Sequence, residues 1–203
     1  MKKIALLLFA LFFVVTSYGQ IVVYDFDSGL SASSTAANVG ATDFAVSDGT
    51  FTSTSYAHSG NGTAVYDGGS WNAVSPTKYY SFTITPNSGY EVSLTGISFD
   101  ARQTASAALD YTVTVGGSTV ASGTFTRDSS LYTITKSITL SSLSSGTEVR
   151  IYGYNGGSGN FEIDNVTLSG AASAVPEPST YALIFGAATL GFCVYRRRAK
   201  RVS

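Results

Sequence analysis

The 203-residue chain has one cysteine and one histidine. Cys193 lies inside an apolar C-terminal segment, so no disulfide can staple the rest of the chain, and no thiolate metal site or cysteine nucleophile is available there. A lone histidine excludes a multi-histidine zinc centre. A Ser-His-Asp hydrolase would have to use His58, yet the surrounding SYAHSGNG reads as a turn and holds no G-x-S-x-G elbow. An exposed turn histidine is the simpler account.

Positive charge is scarce between the two ends. Residues 20–174 contain only Lys78, Arg102, Arg127, Lys136 and Arg150 against twelve Asp and Glu, a net charge of −7, whereas the whole chain carries −1. Without clustered Lys and Arg this body has no electrostatic footprint for nucleic acid, although it can attract cations. Phosphate cradling is not supported either, because none of the Gly-Gly pairs opens a helix after a strand.

A long soluble helical period is also missing, and what stands in its place is alternation. Tyr80, Phe82 and Ile84 alternate with polar neighbours, as do Leu109, Tyr111, Val113 and Val115, and Val149 and Ile151. Period two puts one set of side chains on a buried face, so these are half-buried strands. Further strands are expected over Ile21–Phe26, Phe44–Thr52, Gly62–Tyr66, Val120–Phe125, Glu91–Asp100, Leu131–Leu140 and Phe161–Leu168. Gly116-Gly117 supplies a hairpin turn between 109–115 and 120–125. Ala101–Ala108 reads as a helical turn or a loop. The sum is an all-β chain, a two-sheet antiparallel β-sandwich.

Two parity changes predict bulges. Phe161 and Ile163 share a face by number, but Val166 and Leu168 fall on the opposite parity. One extra residue near Asp164-Asn165 would return all four to the core. Val92 and Leu94 give way to Ile97 and Phe99 in the same manner across Thr95-Gly96.

The termini have their own signatures. MKKIALLLFALFFVVTSYGQ has two lysines, an apolar run and small residues at Ser17 and Gly19, a secretory signal peptide over 1–19. At the other end an apolar stretch over 179–195 is expected to form a transmembrane helix near the short limit for a span, closed by a basic tail over 196–203 with Arg196, Arg197, Arg198, Lys200 and Arg201. Positive charge is retained on the cytoplasmic side, so both ends orient the body outward. Residues 20–170 form the expected sandwich domain and 171–178 a linker. Pro176 and Pro178 hold Val175-Pro176-Glu177-Pro178 extended, the form a protease groove accepts.

Those three elements in that order, the Pro-Glu-Pro strip, the short apolar span and the arginine cluster, resemble the PEP-CTERM sorting signal of Gram-negative bacteria. The resemblance implies recognition and cutting by an inner-membrane exosortase, a transient stay in the inner membrane, and delivery to the cell surface or an extracellular matrix of exopolysaccharide or biofilm. The body has a second resemblance. Tyr24-Asp25-Phe26-Asp27-Ser28-Gly29 and Phe161-Glu162-Ile163-Asp164-Asn165-Val166-Thr167-Leu168 look like the first and last strands of jelly-roll carbohydrate-binding-like domains. By position this resemblance makes Asp27, Asp164 and Asp25 candidate ligands of a structural calcium ion, although Asp27 can equally begin a turn and Asp164 cap the bulge.

For ligand binding, Trp71 and Tyr79 are the candidates, with Tyr152 and Tyr154 as extensions. Aromatic faces suit the C–H surface of sugar rings, but a lone tryptophan in a sandwich is more often core. No acidic pair is singled out for glycoside hydrolysis. The reading is therefore an exported, non-enzymatic surface or matrix protein. The alternatives are a carbohydrate-binding module delivered by the same tail and, less favoured, a glycan-degrading enzyme.

Overall fold

A computed structural model describes residues 18–54, 64–67, 71–104, 108–125, 132–176 and 178–199. The strands in chain order are β1 (Gly19–Tyr24), β2 (Ser34–Thr35), β3 (Val39–Ala41), β4 (Ala45–Val46), β5 (Phe51–Thr54), β6 (Ala64–Asp67), β7 (Lys78–Pro86), β8 (Tyr90–Gln103), β9 (Leu109–Val115), β10 (Ser118–Phe125), β11 (Tyr132–Leu143), β12 (Thr147–Tyr154) and β13 (Phe161–Ala174), followed by helix α1 (Pro178–Ala199). They make two antiparallel sheets. The first runs β11-β8-β13-β1-β2, with the β5–β6 hairpin attached to β13; the second runs β10-β9-β12-β7-β3, with β4 also on β7.

Alternation decides which side chains meet between the sheets. Tyr80, Phe82 and Ile84 of β7, Val149 and Ile151 of β12, and Leu109, Tyr111, Val113 and Val115 of β9 are all buried. They face Val92, Leu94, Ile97 and Phe99 of β8 and Phe161, Ile163, Val166 and Leu168 of β13, buried likewise. Each such side chain contributes about 1.5–3 kcal/mol by leaving water. Tyr24, Phe44 and Phe82 pack as a ring cluster with centroids 4.9–5.4 Å from Tyr24. The Tyr24 hydroxyl donates to the Thr42 carbonyl at 2.6 Å, which satisfies the one polar atom that ring carries inward.

Both expected bulges are present. On β13 the register slips between Asp164↔Asp100 and Thr167↔Ser98, and Asn165 takes φ +50°, a left-handed value that asparagine tolerates better than most residues. On β8 the slip falls between Leu94↔Gly170 and Gly96↔Ser169, which leaves Thr95 as the extra residue. Gly116 and Gly117 have φ of +57° and +82°, as a tight hairpin between β9 and β10 requires.

Three expectations need correction, and a fourth is met only in part. The strand expected over Phe44–Thr52 is two strands on different sheets: β4 pairs β7, β5 pairs β6, and Gly49 at φ +117° turns the chain between them. Ala101–Gln103, expected in a helical turn or loop, continues β8. The boundary expected at residue 170 lies inside β13, whose pairing with β8 continues to Ala174↔Tyr90. Finally, α1 covers the expected transmembrane segment 179–195, but among the described residues no helix is long and apolar enough to cross a membrane. The uncharged stretch from Ser179 to Tyr195 spans about 26 Å at 1.5 Å per residue, short of the roughly 30 Å of hydrocarbon in a bilayer. The signal segment up to residue 17 and His58 lie outside the described residues.

Candidate functional site

The outward face of the second sheet is built by the residues that alternate with its core. Tyr79 on β7, Tyr152 on β12 and Thr112 on β9 form one cross-strand row, because Tyr152 pairs with both neighbours. The Tyr79 and Tyr152 rings lie 5.0 Å apart at 57° and are half-buried, each leaving part of its surface open to solvent. Arg150, two residues before Tyr152 on the same face, lays its guanidinium 4.5 Å from the Tyr79 ring centroid and donates to the Tyr152 hydroxyl at 3.3 Å. Its charge is answered by Glu148 at 2.7 Å. Hydrogen bonding to Glu148, then to Tyr152, holds the Arg150 proton more tightly than usual.

The next row is more polar. Tyr154 lies with its hydroxyl 3.3 Å from Thr112 Oγ1. Asp110 accepts from the Thr124 hydroxyl and, at 2.7 Å, from Asn155 Nδ2. Those two donors hold its carboxyl below the usual range. The face therefore offers tyrosine rings beside hydroxyl, amide and ion-paired groups, the mixture suited to a ligand with C–H faces and many hydroxyls.

Trp71 is not part of it. The indole is 1% exposed and packs against Tyr80 and Phe161 at 4.8 and 5.2 Å between the sheets, with Lys78 Nζ 4.9 Å from its ring. The core position favoured for a lone tryptophan is the one it takes, and its candidacy for a binding platform is corrected: apolar area outweighs exposure, and the loop after β12 is pinned to it by Gly156 N–H donating to the Trp71 carbonyl. Gly153 matters here, since a Cβ on it would come within 2.8 Å of the indole and 2.7 Å of Phe161.

The carboxylates gather on the first sheet. Asp164 and Asp100 are cross-strand partners at the β13 bulge, 1% and 6% exposed. Asp100 accepts from Thr133 Oγ1 at 2.6 Å and from Asn165 Nδ2 at 2.9 Å. Asp164 Oδ1 accepts from the Asn165 N–H at 2.7 Å, while Oδ2 is buried with no hydrogen-bond partner. Burial, above all, pushes Asp164 up to about 7; the Asn165 hydrogen bond opposes this, and the charges of Asp100, Asp27 and Asp25 add to it. The three candidate calcium ligands thus lie within electrostatic reach of one another, with Asp100 as a fourth member that sequence reasoning did not include. Hard oxygen donors and an orphaned buried oxygen are what a calcium ion uses. Among the described residues, however, no three His, Cys, Asp or Glu side chains converge closely enough to hold a metal by themselves.

Sequence reasoning also missed a buried ion pair. Arg102 of β8 meets Glu162 of β13 through Nε and Nη2 at 2.6 and 2.5 Å to Oε2. Desolvation raises the Glu162 carboxyl, and Arg102 works against that rise. Alternation places both on one face, but no local signal couples residues sixty positions apart. Gln103, fully buried beside them in β8, donates to the Gly156 carbonyl and ties down the loop after β12.

At the tail, Val175 is half exposed and its N–H donates to the Gly89 carbonyl at 2.8 Å. Pro176 follows outside the sheet, Pro178 begins α1, and Arg196, Arg197 and Arg198 occupy its last turn. Glu177, Lys200 and Arg201 lie outside the described residues.

Comparison with known proteins bears on both parts. No curated protein matches the chain. Among solved structures, the CBM22-1 xylan-binding domain of Paenibacillus barcinonensis Xyn10C superposes with a TM-score of 0.51 at 14% identity, covering 78% of this chain and 98% of that domain. The family 11 carbohydrate-binding module from Clostridium thermocellum, solved with a mixed-linked tetrasaccharide, has 20% identity and covers 76% of this chain and 98% of that one, at a TM-score of 0.39. A CBM36 module in complex with calcium and xylotriose has 13% identity and covers 62% and 92%, at a TM-score of 0.40. The likeness to the first of these shows a shared sandwich fold. Residues 174–199 match the PEP-CTERM protein-sorting motif, so the chain joins a sandwich of carbohydrate-binding-module fold to a sorting signal of the exosortase type.

Proposed function

We propose that this chain is an exported, non-catalytic surface or matrix protein of a Gram-negative bacterium, cut by an exosortase at its tail, whose sandwich binds polysaccharide. The observation that carries the sorting half is the match of residues 174–199 to the PEP-CTERM motif. In the precursor, α1 would sit in the inner membrane with Arg196–Arg198 at its cytoplasmic end, despite its short apolar length. Deletion of Val175–Ser203 tests this: loss of processing and of surface delivery is expected, and unchanged delivery overturns it.

The binding half rests on the tyrosine-bearing face of the second sheet. Tyr79, Tyr152 and Tyr154 would stack on sugar rings while Thr112, Arg150 and Asp110 hydrogen-bond their hydroxyls. Module-like folds that bind xylan support the reading by analogy. A polysaccharide pull-down with Tyr152→Ala and Tyr79→Ala tests it. Retained binding by both variants, or no binding of matrix polymers by the parent, overturns it. As an accessory, a calcium ion would bind at Asp164 with Asp25 and Asp27, where it would answer the orphaned Oδ2; main-chain carbonyls and waters would have to complete its shell.

A further inference from the structure

β13 does not release the chain before the sorting strip. Its pairing with β8 continues through Ala172↔Val92, Ser173↔Glu91 and Ala174↔Tyr90, and the Val175 N–H bonds to Gly89. The sheet therefore holds the chain up to Val175, immediately before Pro176, and the helix begins at Pro178. A groove that takes an extended peptide needs main-chain groups on both sides of the bond to be cut, and grooves of this kind commonly bind substrate as an added strand. On the N-terminal side, the groups along one edge of Ala171–Val175 are already bonded to β8 and Gly89, so a groove that closes on both edges of the peptide cannot take it while it is paired.

The same end of β13 is built to come away. β1 starts at Gly19, paired with Gly170, so among the described residues the strand past Gly170 is paired on one side only. Its residues there are Ala171, Ala172, Ser173 and Ala174, side chains that surrender little apolar area on leaving, and exposure rises from 4% at Ala171 to 44% at Val175. By contrast Phe161, Ile163, Val166 and Leu168 of β13 are buried, and Thr167 and Leu168 are paired on both sides, to β1 and to β8. Single-sided, small-residue strand ends open locally at far lower cost than the whole sheet.

We propose that Ala171–Val175 is a peelable latch: it leaves β8 and docks as an added strand in the processing enzyme, so that the folded sandwich sets the rate at which its own tail is recognised. This rests on the sorting reading above. Recognition, before any bond is broken, is the step the latch controls. While the latch is closed the apparent affinity of the enzyme for the strip is reduced by the fraction of molecules that are open.

The test is a pulse-chase of the full-length chain in cells that process it, following precursor and mature forms by gel mobility. Ser173→Cys with Glu91→Cys, in a Cys193→Ser background, joins two cross-strand partners whose Cα separation in an antiparallel ladder suits a disulfide. The stapled chain is expected to mature about tenfold more slowly or worse, with the rate restored by a membrane-permeant reductant. Because the staple could instead disturb folding, a six-residue Gly/Ser spacer between Ala174 and Val175 provides the opposite perturbation and is expected to speed maturation. Maturation of the stapled chain at the parent rate, or no acceleration by the spacer, overturns the latch. Glu177→Ala separates the two readings: if it matures like the parent, the sorting reading itself falls, whereas if it is blocked while the stapled chain matures normally, only the latch does.

Discussion

Asp164→Asn should remove a pH-dependent loss of stability from the middle of the first sheet. In the folded chain Asp164 titrates near 7, whereas a free aspartate titrates near 4. The folded state therefore binds the extra proton between those values, and stability is greatest below about pH 4 and falls as the pH rises through 7. Three units at 1.36 kcal/mol each make the loss about 4 kcal/mol, complete only above the folded value. Asp110 works the other way, because its two donors hold it below the usual range. Its contribution is present above about pH 4 and lost as the pH falls through its folded value. The difference between parent and Asp164→Asn cancels that term.

The assay is urea unfolding of the processed protein from pH 4 to 9 in chelator, repeated with millimolar calcium. In chelator the variant should gain on the parent progressively between pH 4 and 7, by about 2–4 kcal/mol after allowing for the amide that replaces the acid. With calcium the parent should recover most of the deficit and the variant little, because a bound cation answers the charge that burial penalises. Parallel pH curves for parent and variant in chelator would refute the burial argument. A parent that ignores calcium while the chelator curves diverge would refute the cation alone.

Other substitutions separate core from face. Gly153→Ala forces a methyl against Trp71 and Phe161 and should lower stability by about 1–3 kcal/mol in thermal or urea melts. Glu162→Gln replaces the carboxylate that Arg102 meets through Nε and Nη2 by a neutral amide and should lower stability by about 1–3 kcal/mol, again by urea melt. Trp71→Ala should cost about 3–5 kcal/mol and lose polysaccharide binding only to the extent that it unfolds, which circular dichroism at the binding temperature will show. Tyr152→Ala should leave the melting temperature within a few degrees while weakening polysaccharide retention severalfold on an affinity gel, since a half-buried face tyrosine contributes more to contact than to packing.

The fold was legible wherever its cause was local. Alternation named the buried members of β7, β9 and β12, and the parity breaks named both bulges, because a strand has no other way to keep Ile163 and Val166 on the same side. The Phe44–Thr52 error has the same root: apolar spacing says that a segment is extended but not which sheet it joins, and Gly49 passes the chain from one to the other. The tail's order of proline strip, apolar run and arginines is also local, and it was read correctly as a sorting motif. Its attachment was not, because the pairing of Ala171–Ala174 with Tyr90–Ser93 depends on a partner eighty residues away whose small side chains give no alternating signal.

The site shows why function was harder to read than fold. Trp71 attracted attention by chemical type, yet the packing of its ring is decided by Tyr80 and Phe161, which approach it from strands on opposite sheets. Tyr79 and Tyr152 are ordinary β residues by pattern and become a pair only because β7 and β12 register Tyr79 opposite Tyr152 and not opposite Ile151. A slip of one residue would bury one ring and leave the other alone. Asp100 escaped notice for the same reason: it completes the acidic group through its pairing with Asp164, and that pairing is fixed by a bulge one residue further on. What turns these side chains into a face and a cluster is therefore strand register, and register is enforced by the core residues between them. Substitutions that move it, in Phe161 or Ile151, should damage binding and the Asp164 titration together, although neither residue touches solvent.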